Sequence, residues 1–366
     1  MAQTISQITS HLEIIAPPSL QEGYDNAGLI TGHGNWQCTG IICCLDAIEE
    51  VVDEAIEKKC NLVVAHHPII FSGLKKINGK NYVERTIIKA IKNDIAIYAI
   101  HTNLDNVFAG VNGMIATKLG LQHIKILSTK TNQLKKLYFF VPPKNAEKVM
   151  SALFETGGGN IGNYSECSFS VNGKGTFKPG ENAKPFNGEI GKREECEELK
   201  IEVLFPAWLE SNIIAALISN HPYEEVAYEV ISLDNHHQHI GSGISGEFPE
   251  ALNEENFLQK LKEIFGLKLL KHTAFTGKQV KKVSVCGGAG SFLIKNAINL
   301  NSDAYITSDL KYHEFFDADK RILLADIGHY ESEQFTVDLL VTLLEQKFPN
   351  FAVLKTGLNT NPVHYF

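Results

Sequence analysis

The stretch that decides the fold is Asn61-Leu-Val-Val-Ala-His-His-Pro-Ile-Ile-Phe71. Residues 62–65 are apolar and are typical of a short buried strand, and Pro68 prevents this strand from continuing. Two adjacent histidines, His66 and His67, therefore stand at the point where the strand ends. In parallel α/β sheets, functional groups collect at the carboxyl ends of the strands, so this position favours a functional site.

The two adjacent histidines have two interpretations. A lone pair of histidines in a loop usually has no special role. Adjacent residues of an extended segment point in opposite directions, however, so His66 and His67 can serve two different metal ions instead of chelating one. The choice depends on whether the rest of the chain supplies matching ligands.

Strands and helices alternate along the first third of the chain. Apolar strands are predicted at 41–45, 62–65 and 95–100, with helices at 48–59, 83–92 and 111–119. Such alternation indicates a mainly parallel sheet that is covered by helices on both faces. The carboxyl ends of the strands then bring five side chains to one edge of the sheet, namely Asp46, His66, His67, His101 and Asp105.

A second pair of candidate ligands lies near the carboxyl terminus. His329 and Glu333 span the start of a predicted helix, so both side chains can face one point, and the helix macrodipole favours a carboxylate there. Alone, HxxxE at a helix start is usually a solvated face. Together with the strand-end residues it gives the imidazoles and carboxylates that a pair of divalent ions needs, with Glu333 able to bridge them. Two such ions about 3.5–4 Å apart can polarise a substrate oxygen and share an activated water.

The composition argues against several classes of protein. The 366 residues are enough for two or three domains, and 44% hydrophobic and 21% charged residues are ordinary for a soluble globular protein. A formal net charge of -8 argues against general binding to nucleic acid or anionic lipid. No apolar run reaches the roughly 20 residues of a membrane span, and the amino-terminal residues do not resemble a signal peptide. The seven cysteines contain no CxxC, which argues against a disulfide framework and a thiolate zinc site. We therefore expect a cytoplasmic protein.

The pattern changes between residues 131 and 236, where a unit of strand, proline, helix, turn and strand occurs twice. This doublet predicts an inserted ferredoxin-like α+β domain. The insert would divide a main metal-binding domain into two segments, 1–130 and 237–366. The predicted fold is α/β, with a main domain of two similar halves that contain mainly parallel sheets flanked by helices. The last strand of the second half is predicted at 351–355.

Three weaker motifs each have a functional and a structural interpretation. Gly241-Ser-Gly-Ile-Ser-Gly246 matches GxGxxG but no helix opens after it, so we reject a dinucleotide site. Cys286-Gly-Gly-Ala-Gly-Ser291 is either an anion cradle at a helix start or a tight packing turn. His313, with its neighbour Lys311, is either a phosphate contact and proton donor or an exposed helix residue.

Two aspartates are candidate partners of the histidines. Asp25 lies in a glycine-bearing loop, and Asp46 ends a predicted strand. Such carboxylates commonly fix the tautomer of a metal-binding imidazole. A nucleophilic triad has little support, because the chain contains no GxSxG.

Four motifs occur in a fixed order along the chain. They are Tyr24-Asp-Asn-Ala-Gly-Leu, Val64-Ala-His-His-Pro-Ile-Ile-Phe, His101-Thr-Asn-Leu-Asp and Gly328-His-Tyr-Glu-Ser-Glu. Together they resemble the Nif-three-like dinuclear-metal family, whose members are often labelled GTP cyclohydrolase 1 type 2 homologues. The resemblance covers both segments of the main domain, essentially 1–130 and 240–366. It implies two metal ions per chain on five ligands, namely His66, His67, Asp105, His329 and Glu333.

The resemblance also carries expectations about assembly. It implies a toroidal homohexamer built from trimers, with the metal sites facing an inner cavity. The insert would be similar to small trimeric signal and metal-tolerance proteins, a module that Asn220-His-Pro-Tyr-Glu-Glu-Val-Ala-Tyr228 resembles. Histidine and carboxylate ligands suit Zn, Mn and Fe alike, so the sequence does not choose among these metals.

Two functions agree with this site. The first is a metal-dependent hydrolase that acts on a small molecule such as a nucleotide, with His101 and His313 as catalytic groups. A metal-activated water suits the opening of a purine ring, and it suits phosphoester or amide hydrolysis equally well. The alternative is a non-catalytic metal-binding or regulatory hexamer whose insert senses a ligand or gates the cavity. That assembly would bind metal without turnover.

Overall fold

The computed structural model describes residues 3–366, which form two compact units. One unit, here called the main unit, comprises the chain up to Thr129 together with Gln238–Phe366. The other, here called the insert, comprises Lys130–His237, and the predicted inserted domain at 131–236 lies within it. All candidate metal ligands belong to the main unit.

The first sheet of the main unit carries the two adjacent histidines. Its strands, in spatial order, are β1 (Gly28–Thr31), β4 (Ala96–Ala99), β3 (Leu62–His67), β2 (Ile41–Asp46) and β15 (Val353–Lys355). Strands β4, β3, β2 and β15 are parallel, and β1 pairs antiparallel with β4. Strands β2, β3 and β4 are buried almost throughout, as expected for parallel strands that are covered on both faces.

The register of these strands places the candidate ligands together. Asp46 at the end of β2 is opposite His67 at the end of β3, and Ala65 is opposite Ala99 near the end of β4. His101 follows β4 directly and precedes the next helix. The prediction that these strand ends share one edge of the sheet is therefore confirmed.

The second sheet is mixed. Its strands, in spatial order, are β11 (Lys271–His272), β14 (Leu323–Asp326), β13 (Ala304–Ser308), β12 (Gln279–Ala289), β10 (Gly241–Asn253) and β5 (Gln122–Thr129). The three central strands β12, β13 and β14 are parallel, while the others pair antiparallel with their neighbours. The GxGxxG match lies inside β10 and no helix opens at its third glycine, which agrees with the rejection of a dinucleotide site.

The second sheet is less parallel than the sequence predicts, and the two segments of the main unit exchange strands. Strand β15, at the carboxyl end of the chain, pairs with β2 of the first segment. Strand β5, from the first segment, pairs with β10 of the second. Because each segment completes a sheet of the other, the two segments form one folded body.

Helices flank both sheets. Those of the main unit are α1 (Ile5–Ile15), α2 (Glu49–Glu57), α3 (Tyr82–Lys92), α4 (Thr102–Asp105), α5 (Val111–Leu119), α8 (Glu254–Phe265), α9 (Ile294–Asn299), α10 (His329–Glu333) and α11 (Thr336–Lys347). Local signals fix their ends: Thr4 and Gln7 form a capping box at the start of α1, and Gly266 ends α8 in the left-handed conformation. The helix predicted to begin near His329 is two helices, because a turn at Gln334 and Phe335 separates α10 from α11.

The insert has its own sheet and its own core. Its elements, in chain order, are β6 (Leu134–Val141), α6 (Ala146–Glu155), β7 (Ser168–Phe177), β8 (Glu194–Pro206), α7 (Glu210–Asn220) and β9 (Tyr228–Leu233). The strand order in space is β7, β8, β6, β9, and every neighbouring pair is antiparallel. Phe139 and Phe205 are fully buried in a core between this sheet and its two helices.

Two further features bear on the composition. All seven cysteines are free thiols. Within residues 3–366, every helix is too short or too polar to cross a membrane.

The core of the insert can be tested with a matched pair of substitutions. Phe139→Ala removes a fully buried ring, whereas Phe169→Ala removes a ring that is 63% exposed. We expect the first change to lower the free energy of unfolding by about 3–5 kcal/mol and the second by far less. Denaturant titration of the full chain measures both, and equal effects would contradict the described core.

Candidate metal centre

His66 is the most deeply buried of the candidate ligands. Its Nδ1 donates a hydrogen bond of 2.9 Å to the carbonyl oxygen of Ile100. Because a carbonyl only accepts, Nδ1 carries the hydrogen and the Nε2 of the neutral ring is left with its lone pair. This Nε2 lies 3.7 Å from Oδ1 of Asp105 and 3.9 Å from Oε1 of Glu333.

His67 is held from both sides. Its Nδ1 lies 2.8 Å from Oδ1 of Asp46, and its Nε2 lies 3.0 Å from Oε2 of Glu333. Asp46 in turn accepts a hydrogen bond of 2.7 Å from the hydroxyl of Thr360. The orientation of the His67 ring is therefore fixed by a chain of hydrogen bonds that ends in the carboxyl-terminal segment.

His329 and Glu333 face one point because they are one turn apart on α10. Nε2 of His329 lies 3.1 Å from Oε2 of Glu333, and it lies 3.4 Å from Nε2 of His67. The other ring nitrogen of His329 lies 2.7 Å from a carboxylate oxygen of Asp309. The second sheet thus supplies a histidine with the same kind of support as His67.

His101 completes the ring of imidazoles. Its Nδ1 lies 2.7 Å from Oδ1 of Asp25, and the other oxygen of Asp25 accepts from the backbone amide and the hydroxyl of Thr102. Potential ligand atoms of His66, His67 and His101 all lie within 4.8 Å of one another. The sequence predicts a catalytic role for His101, and the structure places this residue next to the metal-ligand cluster.

The four histidines share one arrangement. In each, Nδ1 is held by a carbonyl or carboxylate oxygen, which leaves Nε2 available as a metal ligand or proton acceptor. Asp25 and Asp46, the partners considered in the sequence analysis, make these hydrogen bonds. Asp309 was missed, although it directly follows strand β13, just as Asp46 ends β2.

The electrostatics follow from burial and from these contacts. Burial alone would lower the pKa of His67, but hydrogen bonds to Asp46 and Glu333 raise it to about 10. His329 has the same balance, and its carboxylate partners raise its pKa to about 9. Burial, together with the charge of Glu333, raises the pKa of Asp105 to about 7. Burial opposes ionisation of Glu333 as well, yet hydrogen bonds from the histidines hold its pKa well below its usual range.

Two buried atoms of the cluster show that these residues suit a cation. Nε2 of His66 and Oδ1 of Asp105 are buried and make no hydrogen bond within the described part of the chain. Leaving a buried polar atom unpaired costs about 1–3 kcal/mol. Two ligand atoms that each bind a zinc-sized cation at about 2.0–2.2 Å lie roughly 3–4 Å apart, which is the spacing found here. The donor set therefore fits a divalent metal ion.

The chain is similar to known proteins over nearly its whole length. A profile of the family described as Duf34/NIF3 (NGG1p interacting factor 3) matches residues 3–362. The chain belongs to the Duf34/NIF3 family. The match includes every candidate ligand and also the insert.

The sequence similarity to relatives of this family member extends over nearly the whole chain. A "GTP cyclohydrolase 1 type 2 homolog" of Halalkalibacterium halodurans is 38% identical over 365 residues, which cover 98% of this chain and 97% of the relative. A protein of the same name from Bacillus subtilis is 38% identical over 371 residues, 99% of each chain. Among solved structures, a Bacillus cereus protein related to NIF3 superposes with a TM-score of 0.88 at 37% identity and covers 100% of both chains.

The predicted glycine-rich turn of this family member forms the end of β12, and two of its amides are used in packing. The amide of Gly287 donates to Oδ1 of Asn112, and that of Gly288 donates to the hydroxyl of Ser332, each at 2.9 Å. Gly288 has a φ of +63°, and a Cβ at this position would collide with Oε1 of Glu333. The turn therefore uses glycine so that the backbone can approach the central carboxylate.

His313 is not part of the cluster. It lies on the 3₁₀ helix Tyr312–Ala318, where its exposed ring stacks on Phe316 with ring centroids 6.3 Å apart. It does not line the cavity next to the metal ligands. The structure therefore brings His101 to the site and leaves His313 outside it.

The cluster opens into a cavity of about 700 Å³, here called the central cavity. His67, His101, Asp105, His329 and Glu333 line it, and His66 lies behind them. The carboxyl-terminal segment, residues 356–366, forms part of its wall with Asn361, Pro362, Val363 and Tyr365. Sequence reasoning did not single out this polar segment, because it has neither helical nor strand periodicity.

The role of the carboxyl-terminal segment can be tested at Thr360. Thr360→Val keeps the shape of the side chain but removes the hydroxyl that donates to Asp46, whereas Thr360→Ser keeps the hydroxyl. We expect about tenfold weaker Zn²⁺ binding in the valine variant and near-normal binding in the serine variant, since partners of a ligating histidine tune metal affinity. Competition with a chromogenic chelator measures both, and equal affinities in the two variants would contradict the role of Thr360.

Metal binding to this site should release protons. With pKa values of about 10 for His67 and about 9 for His329, both rings are protonated at pH 7 in the metal-free protein. Ligation needs neutral imidazoles, so we expect these two rings to release about two protons at pH 7, and the affinity to rise with pH up to about 10. Calorimetric titration with Zn²⁺ in buffers of different ionisation enthalpy counts the protons, and a count of zero would contradict these pKa values.

Proposed function

We propose that this family member is a metal-dependent hydrolase with a dinuclear divalent metal centre that acts on a small molecule of the nucleotide type. The position of Glu333 carries the proposal. Its Oε1 lies 3.9 Å from Nε2 of His66, whereas its Oε2 lies 3.0 Å from Nε2 of His67 and 3.1 Å from Nε2 of His329. A carboxylate whose two oxygens face different groups of histidines is suited to bridge two cations.

The residues divide into two ligand groups around this carboxylate. His66 and Asp105 would hold one cation with Glu333, and His67 and His329 would hold the other. Imidazole and carboxylate ligands suit Zn, Mn and Fe, so the donor set defines a class of metal. When bound, such cations act as Lewis acids that polarise a substrate oxygen and lower the pKa of water.

His101 is the residue that we assign to proton transfer. Asp25 holds its Nδ1 at 2.7 Å, so Nε2 can accept a proton from water and return it to a leaving group. Burial alone would raise the pKa of Asp25, but hydrogen bonds from His101 and Thr102 hold it below its usual range. Asp25 therefore stays a carboxylate and keeps the ring oriented. His313 lies outside the central cavity, so we assign it no step.

The central cavity suits a small planar substrate. Its volume of about 700 Å³ lies within the range of sites for small molecules. Tyr24, Phe71 and Phe292 line it with exposed rings that can stack on a heteroaromatic base. The name of the relatives, GTP cyclohydrolase 1 type 2 homolog, is in keeping with a purine substrate and hydrolytic opening of its ring.

The insert supports a second, regulatory candidate function. We propose that it is a ferredoxin-like domain, because its two βαβ units place the first and third strands, β6 and β8, at the centre of an antiparallel sheet. Since the insert is a compact unit of its own, it is suited to bind a separate ligand. A regulatory assembly of this kind would bind metal without turnover.

The homohexamer, which the family resemblance implies, and the cytoplasmic location, which the composition suggests, remain predictions.

The proposal is tested by measuring metal content and turnover in matched variants. We expect near two metal ions per wild-type chain and turnover on a panel of nucleosides, nucleotides, phosphoesters and amides. His101→Gln should keep its metal while its turnover falls about 10²–10⁴-fold, because only proton transfer is lost. Glu333→Gln should lose both metal and turnover, and His313→Gln should keep both.

Three outcomes would count against this assignment. Two metal ions without turnover on any substrate would favour the regulatory function. Loss of metal in His101→Gln would make His101 a ligand instead of the proton-transfer residue. A wild-type protein that takes up no Zn, Mn or Fe would overturn the metal centre itself.

A further inference from the structure

The wall of the central cavity carries a strong excess of negative charge. Among the described residues that line it, seven are carboxylates and the one formal cation is Lys271. The carboxylates come from strands, short helices and loops of the main unit: Glu22, Asp46, Asp105, Asp309, Asp326, Glu331 and Glu333. A concave, partly dehydrated surface of one sign of charge concentrates its field on whatever enters the cavity.

Metal ions would reduce this excess without removing it. Two dications supply four positive charges and Lys271 supplies one, against seven carboxylates. The four histidines add none when they act as neutral ligands or proton acceptors. With the two metal ions of the proposed function bound, the cavity therefore keeps an excess of about two negative charges.

The single lysine is already engaged. Its ammonium group lies 2.6 Å from Oδ2 of Asp326, which is buried. The amides of Gly287 and Gly288 also line the cavity, and both donate to side chains of the protein. Among the described residues that line the cavity there is thus no arginine and no unpaired lysine, the side chains that commonly recognise phosphate groups.

Groups that accept hydrogen bonds or stack on rings are abundant instead. Glu331 accepts a hydrogen bond of 3.1 Å from the side-chain amide of Asn361. It borders the cavity next to the carboxyl-terminal segment. Tyr24 and Phe292 are 73% and 63% exposed, and their rings line the same space. Carboxylates accept from N–H groups, and aromatic faces attract planar or cationic rings.

We infer that the central cavity selects a planar heteroaromatic substrate that carries N–H donors and no phosphate groups, such as a nucleoside or a free base, over the corresponding nucleotide. The inference rests on the proposed function for the location of the site and narrows its substrate class. The buried, unpartnered Nε2 of His66 and Oδ1 of Asp105 mark the metal end of this cavity. The phosphate groups of a nucleotide would add negative charge to a wall that already holds an excess.

The test compares two ligands that differ only in phosphate. The full-length protein is loaded with Zn²⁺, and the binding of guanosine and of guanosine 5′-monophosphate is measured by equilibrium dialysis, with the metal content checked afterwards. We expect the monophosphate to bind at least about tenfold more weakly at low ionic strength. High salt should narrow the difference, since it screens repulsion between charges.

A charge-matched pair of variants isolates the electrostatic cause. Glu331→Gln removes one charge from the cavity wall, and Glu57→Gln removes one from an exposed position on α2. We expect Glu331→Gln to raise the affinity for the monophosphate relative to that for guanosine by about twofold to fivefold, and Glu57→Gln to leave this ratio unchanged.

Four results would overturn the inference. The first is a monophosphate that binds as tightly as guanosine or more tightly. The second is a difference that neither salt nor Glu331→Gln changes, which would indicate steric exclusion instead of charge. The third is a metal-loaded protein that binds neither ligand. All three leave the metal centre intact, whereas a protein that holds no metal would overturn the proposed function and this inference together.

Discussion

The buried carboxylate of Glu333 is the constraint on which the site depends. A carboxylate removed from water is stable as an anion only when donors or cations surround it. Here Nε2 of His67 and of His329 lie 3.0 Å and 3.1 Å from the same oxygen. His67 ends β3 of the first sheet, and His329 begins the helix that follows β14 of the second sheet. The carboxylate therefore links the carboxyl ends of strands from both sheets. Gly288 leaves the space that the carboxylate occupies, because any side chain there would collide with it.

A second set of oxygens holds the histidines in place. Each imidazole has its Nδ1 bound to a carbonyl or carboxylate, and Asp46 and Asp309 occupy equivalent positions at the ends of β2 and β13. This arrangement selects one tautomer and directs Nε2 outward from its support. The exchange of β5 and β15 between the segments joins the two sheets, with the ligands at their strand ends, in one unit. The fold therefore fixes the ligands before any metal binds, which lowers the entropy cost of binding.

The sequence predicted the ligand cluster because its members lie at the end of an apolar strand or in a short helix that follows such a strand. Local patterns of this kind are visible without knowledge of the tertiary structure. The pairing of β15 with β2 was not predictable, since strand partners distant in sequence leave no periodic signal. The hydrogen bond from Thr360 to Asp46 was missed for the same reason. The sequence also suggested a catalytic role for His313, which lies outside the cavity. The sequence of a short 3₁₀ helix does not reveal which of its side chains face solvent.

The measurement that tests the central claim most directly is anomalous X-ray diffraction from crystals of the metal-reconstituted protein. A bridging Glu333 predicts two anomalous peaks about 3.5–4 Å apart, one between its Oε1 and His66 and the other between its Oε2 and the pair His67 and His329. A single peak at either position would show that the carboxylate does not bridge. No peak near Glu333, in crystals that contain the metal elsewhere, would contradict the metal centre.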